Sequence, residues 1–178
     1  MTSAGAWALS PAAVTRSGRR PRYPVTQTCL PVPLDPETIA TVRTSWAEIA
    51  PRAARLGARF YDTLFSADPS LVALFGANDR GAMLDQGGKL MQTLGAAVAA
   101  LDAPASLERT LRALGRRHAA YGVADAHYGT VEAALLRTLG DGLGDRFTPD
   151  VEQAWAALYH VVVSAMIAGA HEATPPDP

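Results

Sequence analysis

The sequence predicts an all-α fold, and three observations carry that expectation. From Asp35 onward apolar residues recur at i, i+3, i+4 and i+7 through nearly the whole chain. A capping residue is followed by proline at Asp35-Pro36, Asp68-Pro69 and Thr148-Pro149, the pattern of a helix start. No period-two alternation survives beside these stripes, and there is no internal repeat. About seven helices in one domain are expected, the longest at the end.

The first helix starts at Asp35-Pro36-Glu37, which supplies a cap, a proline at the first helical position and an acid in the first turn. Its stripe is Ile39, Val42, Trp46 and Ile49, and Pro51 ends it. Leu56, Phe60 and Leu64 mark a second helix over 51–66. Asp68-Pro69 opens a short third one carrying Leu71, Leu74 and Phe75, and residues 76–81 read as loop. A longer helix over 82–101 places Gln86, Leu90, Leu94, Val98 and Leu101 on one side, until Ala103-Pro104 breaks it. Ser106 is placed to cap the next helix and Gly122 to end it. Tyr128, Val131, Leu135 and Leu139 form the following stripe, and the stretch GDGLGDRF reads as a turn. Thr148-Pro149-Asp150 starts the last helix, with Val151, Trp155, Leu158, Val162 and Ala165 facing inward, and Thr174-Pro175-Pro176 ends the fold.

The expected organisation is an arm over 1–34, a folded domain over 35–173 and a tail over 174–178. The chain has 178 residues, 48% hydrophobic and 19% charged, enough apolar material for one core. Its net charge of −1 is uneven. Residues 1–34 carry Arg16, Arg19, Arg20 and Arg22 and no acid, so the remainder stands at −5. That body argues against nucleic-acid binding. The arm is rich in Pro, Ser, Thr, Ala and Arg without a sustained stripe, and reads as disordered. A basic arm touching acidic lipid or nucleic acid, and a start codon placed too early, are the other readings. Pro21 and Arg22 follow the arginine pair where an export signal needs an apolar segment. No apolar run reads as long enough to span a membrane. The single cysteine, Cys29, cannot form an internal disulfide, which fits a reducing, cytoplasmic setting.

The chemistry begins in LRALGRRHAAYGV, residues 111–123. Leu107, Leu111, Leu114 and His118 share one helical stripe, which should face the core. A histidine stands where leucine would pack better. Two glycines, Gly57 and Gly87, sit inside helices at about 1 kcal/mol each against alanine. If they face one another, two helices cross closely there, and the crossing brings Tyr61 near Gln86. One imidazole cannot build a zinc site, and no HxxxH, HExxH or CxxC spacing is present. No Ser-His-Asp grouping has a recognisable spacing, and no glycine-rich loop follows a strand. One imidazole does suffice for a flat macrocycle that already gives iron four nitrogens.

Residues 35–172 resemble a bacterial single-domain globin, similar to the globin domain of flavohaemoglobins. The resemblance is carried by RFYDTLFSADPSLVALF at 59–75, MLDQGGKLMQTL at 83–94, LGRRHAAYGVADAHY at 114–128 and QAWAALY at 153–159. It implies the globin fold, helices packed at about 50° around a haem pocket. It implies His118 as proximal iron ligand and Phe75 as the phenylalanine packed on the haem. It implies Tyr61 and Gln86 as the distal pair, with Leu90 as the apolar distal wall. Lys89, the only lysine of the chain, and Arg117 fall where similar proteins place cations near the haem propionates. Tyr128 matches the tyrosine that supports the proximal histidine. The family's supporting glutamate falls on Ala170, and Glu172 is two positions on, about 200° further round the helix. With no CxxCH, the expected cofactor is non-covalent haem b. His127, His160 and His171 read as surface or secondary residues.

A Tyr hydroxyl and a Gln amide can both donate to a diatomic ligand, and Gln is a poor iron ligand, so the sixth position should stay open to gas. The leading expectation is reversible binding of O₂, for storage, delivery or scavenging, with NO and CO as further ligands. The enzyme alternative is nitric-oxide dioxygenation, in which Tyr61 and Gln86 become catalytic. No flavin or nicotinamide domain follows in the sequence, so turnover would need an external reductase. A gas or redox sensor and a haemless helical regulator are the remaining readings. A monomer or homodimer is expected.

Overall fold

The computed structural model describes residues 34–75 and 80–172. Six α-helices occur among them: α1 Pro36–Ile49, α2 Ala53–Ala67, α3 Arg80–Ala99, α4 Pro104–Ala120, α5 His127–Leu143 and α6 Pro149–Glu172. The arm and tail expectations for 1–33 and 173–178 lie outside the described residues.

Local chemistry sets most of the boundaries. The Asp35 carboxylate accepts from the Thr38 backbone N–H at 2.9 Å and from its hydroxyl at 2.7 Å, which starts α1. Those two bonds hold the Asp35 carboxyl below the ordinary carboxylate range. At the start of α6 the Val151 N–H reaches the Thr148 hydroxyl at 3.4 Å. Gly122, at φ +83°, follows the end of α4, as a left-handed C′ residue should.

Four expectations are corrected. The segment after Asp68-Pro69 is a 3-10 run, Pro69–Phe75, rather than an α-helix, so α-helices number six. Helix α3 begins at Arg80, taking in a residue and a glycine expected in the loop. Helix α4 begins at Pro104 with no side-chain cap, so Ser106 lies inside its first turn. Half of GDGLGDRF is α-helical. Helix α5 runs through Leu143, and a 3-10 turn, Gly144–Arg146, follows from Gly144, whose φ is +58°. Gly142 lies within that helix and packs close to α2, since a Cβ there would lie 3.0 Å from the Leu56 side chain.

The core is held by α6, which packs on α1, α4 and α5. Its 24 residues are long and apolar enough, by length and composition, to cross a membrane. This corrects the expectation that no run would be. The apolarity has a packing cause: Trp155, Leu158, Val163 and Met166 are buried against those neighbours. One polar pin orients α6. The Trp155 indole N–H donates to the Ser45 hydroxyl of α1 at 2.9 Å, and that hydroxyl donates to the Thr41 carbonyl at 2.8 Å. Both residues are buried, so losing either partner would cost roughly 1–3 kcal/mol.

Two crossings bring backbones together. Helices α2 and α3 meet at Gly57 and Gly87, where a Cβ on Gly87 would lie 2.6 Å from the Gly57 carbonyl carbon. The close approach expected from these two glycines is observed. Helices α4 and α6 meet twice more. A Cβ on Gly115 would lie 2.7 Å from Met166 Cα, and one on Gly169 would lie 2.5 Å from Arg112 Cα. Thus α2 with α3, and α4 with α6, form two tightly packed pairs, whereas α4 packs little on α2 or α3. The space between the pairs is the cavity.

Candidate functional site

A cavity of about 290 Å³ opens between the helix pairs. Native cores hold few voids larger than a water molecule, so this one is a site rather than a packing fault. Its lining is mostly apolar and includes Leu64, Leu90, Leu114, Val131 and Leu158. His118, Tyr61, Gln86, Phe75, Leu90, Lys89 and Tyr128 all line it. Arg117 does not, and it is exposed.

His118 answers its own puzzle. Its Nδ1–H donates to the Leu114 carbonyl one turn earlier, at 3.0 Å. A carbonyl can only accept, so the proton sits on Nδ1 and the lone pair on Nε2. Burial holds the imidazole below the ordinary histidine range, and the charge of Arg117 adds to this. The ring is therefore neutral, fixed in tautomer and free at Nε2, the form a metal needs.

Tyr61 is set by aromatic neighbours. Its ring centroid lies 5.0 Å from Phe60, 5.7 Å from Phe65 and 5.2 Å from Phe75, the last edge-on at 73°. The Gln86 side chain acts on the hydroxyl, and the two line the same cavity, as the glycine crossing led us to expect. Burial pushes the phenol up and Gln86 opposes this. Tyr61 therefore stays protonated and keeps an O–H to donate.

On the other side, burial and the Asp125 charge push the Tyr128 hydroxyl up to about 12. The Tyr159 hydroxyl donates to the Tyr128 carbonyl at 2.7 Å and ties α6 to the start of α5. Glu172 is engaged elsewhere: it pairs with Arg112 and lies 3.3 Å from Arg116, both on α4. Ala170 brings no carboxylate to the site.

Two features escape a reading of the sequence. Gly115 and Gly169 carry the α4–α6 crossing that sets the height of His118, and nothing in the stripe of either helix singles them out. His127, expected at the surface or in a secondary role, lines the cavity and is half-buried. His160 and His171 are exposed as expected, beside Glu132 at 2.8 Å and Asp125 at 3.3 Å.

Among the described residues no three His, Cys, Asp or Glu side chains group to hold a metal ion. A bare ion has no ligand set here. An apolar slot with one committed imidazole and a phenol–amide pair fits a planar macrocycle that carries its own metal.

The globin family profile matches residues 58–166. Neuroglobin of Danio rerio is 33% identical over 138 residues, covering 72% of this chain and 87% of that protein. Neuroglobin of Dissostichus mawsoni is 35% identical over the same shares. The flavohemoprotein of Bacillus subtilis (strain 168) is 30% identical over 134 residues, 75% of this chain but 33% of that protein. Among solved structures, a hexacoordinated heme protein from an anhydrobiotic tardigrade, determined at pH 4, superposes with a TM-score of 0.71. It is 19% identical and covers 78% of this chain and 96% of its own, a likeness of fold.

Proposed function

The chain belongs to the globin family, and on that premise we propose that it holds one haem b through His118 and reversibly binds O₂. Storage, delivery or scavenging of a diatomic gas is the role. One observation carries the proposal. A single cavity receives a neutral imidazole with Nε2 free from α4, and a phenol–amide pair from α2 and α3. Bound there, haem supplies an iron with a position for a diatomic gas.

The rest is the work of this chain. Leu114 holds His118 in the tautomer that points its lone pair into the cavity. Phe75 and Leu90 wall the slot and exclude water. Gln86 orients Tyr61, whose O–H donates to a ligand that carries partial negative charge. Lys89, exposed at the edge of the cavity, is placed to meet a carboxylate of the cofactor. Tyr128 acts from the His118 side as a neutral phenol.

Neither α2 nor α3 contains a histidine. A second imidazole therefore has no source on that wall, which supports a gas-accessible position rather than the hexacoordination of the tardigrade protein. The Tyr61–Gln86 pair supports nearness to the globin domain of flavohaemoglobins. Nitric-oxide dioxygenation with an external reductase rests on the same pair. Ala170, in place of a proximal carboxylate, weighs against rapid turnover. The single cysteine supports a cytoplasmic setting.

An oxygenation titration tests the reading. The spectrum should change on adding O₂ and return on removing it. Irreversible oxidation on first exposure would contradict it. Sustained nitrate formation with a cellular reductase would favour the enzyme.

A further inference from the structure

The notable residue left without a role is His127. It opens α5 and is half-buried where it lines the cavity. The Ala124 backbone N–H donates to its Nδ1 at 3.1 Å. A backbone N–H cannot accept, so Nδ1 carries the lone pair. The neutral ring then bears its proton on Nε2, and that N–H is the polar group it can offer the cavity.

The other polar side chains of the cavity are already engaged or enclosed. Tyr61 is buried and interacts with Gln86, which is itself not exposed. The Thr93 hydroxyl donates to the Lys89 carbonyl at 2.9 Å. Trp155 is committed to Ser45, and Tyr159 to the Tyr128 carbonyl. Tyr128 itself is buried, and His118 presents a lone pair rather than a proton. Two donors remain that combine cavity contact with solvent access: exposed Lys89 on α3 and half-buried His127 on α5. Arg117 stands outside the cavity lining. A haem brings two carboxylates, and neither can be left in an apolar slot without a donor.

We propose that His127 Nε2–H is the donor to one haem carboxylate, with Lys89 serving the other. This rests on the haem reading above. His127 is thus a positioning residue for the cofactor, and the Ala124 N–H is what fixes its tautomer.

The test uses the full chain loaded with haem or with haem dimethyl ester, and follows transfer of either to excess apomyoglobin. His127→Phe should release haem about ten-fold faster, the loss of one hydrogen bond to a charged group. His127→Gln, which keeps an N–H donor, should recover part of that. With the dimethyl ester, whose carboxylates are blocked, the His127→Phe effect should shrink to within about two-fold. Unchanged haem release in His127→Phe would overturn the proposal. Equal acceleration with haem and with its ester would also overturn it, because the loss would then be that of the Ala124 bond alone. A parent chain that takes up no haem fails the underlying reading, and the proposal with it, before any His127 variant is made.

Discussion

Gly57 and Gly87 meet backbone to backbone, so that a Cβ on Gly87 would lie 2.9 Å from the Ala58 nitrogen. Nothing flexible can yield there. Alanine at either glycine should destabilise the fold by roughly 1–3 kcal/mol, the range for overpacking. It should also push α3 away and loosen the Tyr61–Gln86 pair. Urea denaturation checks the first effect and O₂ dissociation, expected to quicken, checks the second. A Gly57→Ala or Gly87→Ala protein with parental stability would show that the helices are further apart than this.

Tyr61→Phe removes the hydroxyl and nothing else. Losing a hydrogen bond to a charged partner costs roughly 1.5–3 kcal/mol, or about ten- to a hundred-fold, mostly in the off-rate. O₂ should dissociate faster by that factor, and CO, with little charge on its oxygen, should change much less. Gln86→Leu should act in the same direction more weakly. Because the two side chains act on one another in the same cavity, the double variant should fall short of the product of the singles, with coupling of about 0.5–3 kcal/mol. Stopped-flow dissociation from the four proteins measures this, and strict additivity would contradict it.

Gly115 lies three residues before His118 and against the Met166 backbone. Alanine there must lift α4 off α6, displacing the imidazole with it. The expected outcome is a stability loss of roughly 1–3 kcal/mol together with faster haem release. Haem transfer to an acceptor protein reads the second effect. A variant that loses stability but keeps its haem as firmly as the parent would separate the crossing from the site.

Burial holds His118 below the 6.5 of an ordinary histidine, and Arg117 adds to it. The unfolded chain therefore binds that proton more readily than the folded one. Stability from the neutral ring is present above 6.5 and is lost as pH falls through the depressed value. Haem ligation has the same sign, since the proton takes the lone pair the iron needs. Acidifying from about pH 7.5 to about pH 5 should accelerate haem release, and Tyr61→Phe should leave that profile unchanged. A flat profile would contradict the assignment.

The helical stripes, the proline starts and the His118 position were legible because each follows a local rule. The crossing of Gly57 with Gly87 was legible too, since a glycine inside a helix asks for a reason. Gly115 and Gly169 ask the same question, but no polar pair one turn away drew the reading to them. Whether residues 69–75 coil as α or 3-10 depends on how α2 hands the chain on, which no local pattern records. Arg117 is exposed and outside the cavity lining, a placement that the sequence, with Arg116 and His118 on either side of it, does not record. His127 was hidden for another reason. It precedes a stripe instead of lying on one, and its orientation comes from a backbone N–H three residues earlier.

His118 is the proposed iron ligand, and neither Tyr61 nor Gln86 across the cavity is expected to bind the iron in its place. The most direct measurement is the absorption spectrum of the purified ferrous protein and of its CO complex, for the parent and for His118→Ala. The parent should give a five-coordinate, imidazole-ligated ferrous spectrum and an ordinary CO complex, and His118→Ala should lose the haem or that spectrum. A parent protein that is low-spin and six-coordinate without added gas, or a His118→Ala protein spectrally equal to the parent, would contradict it.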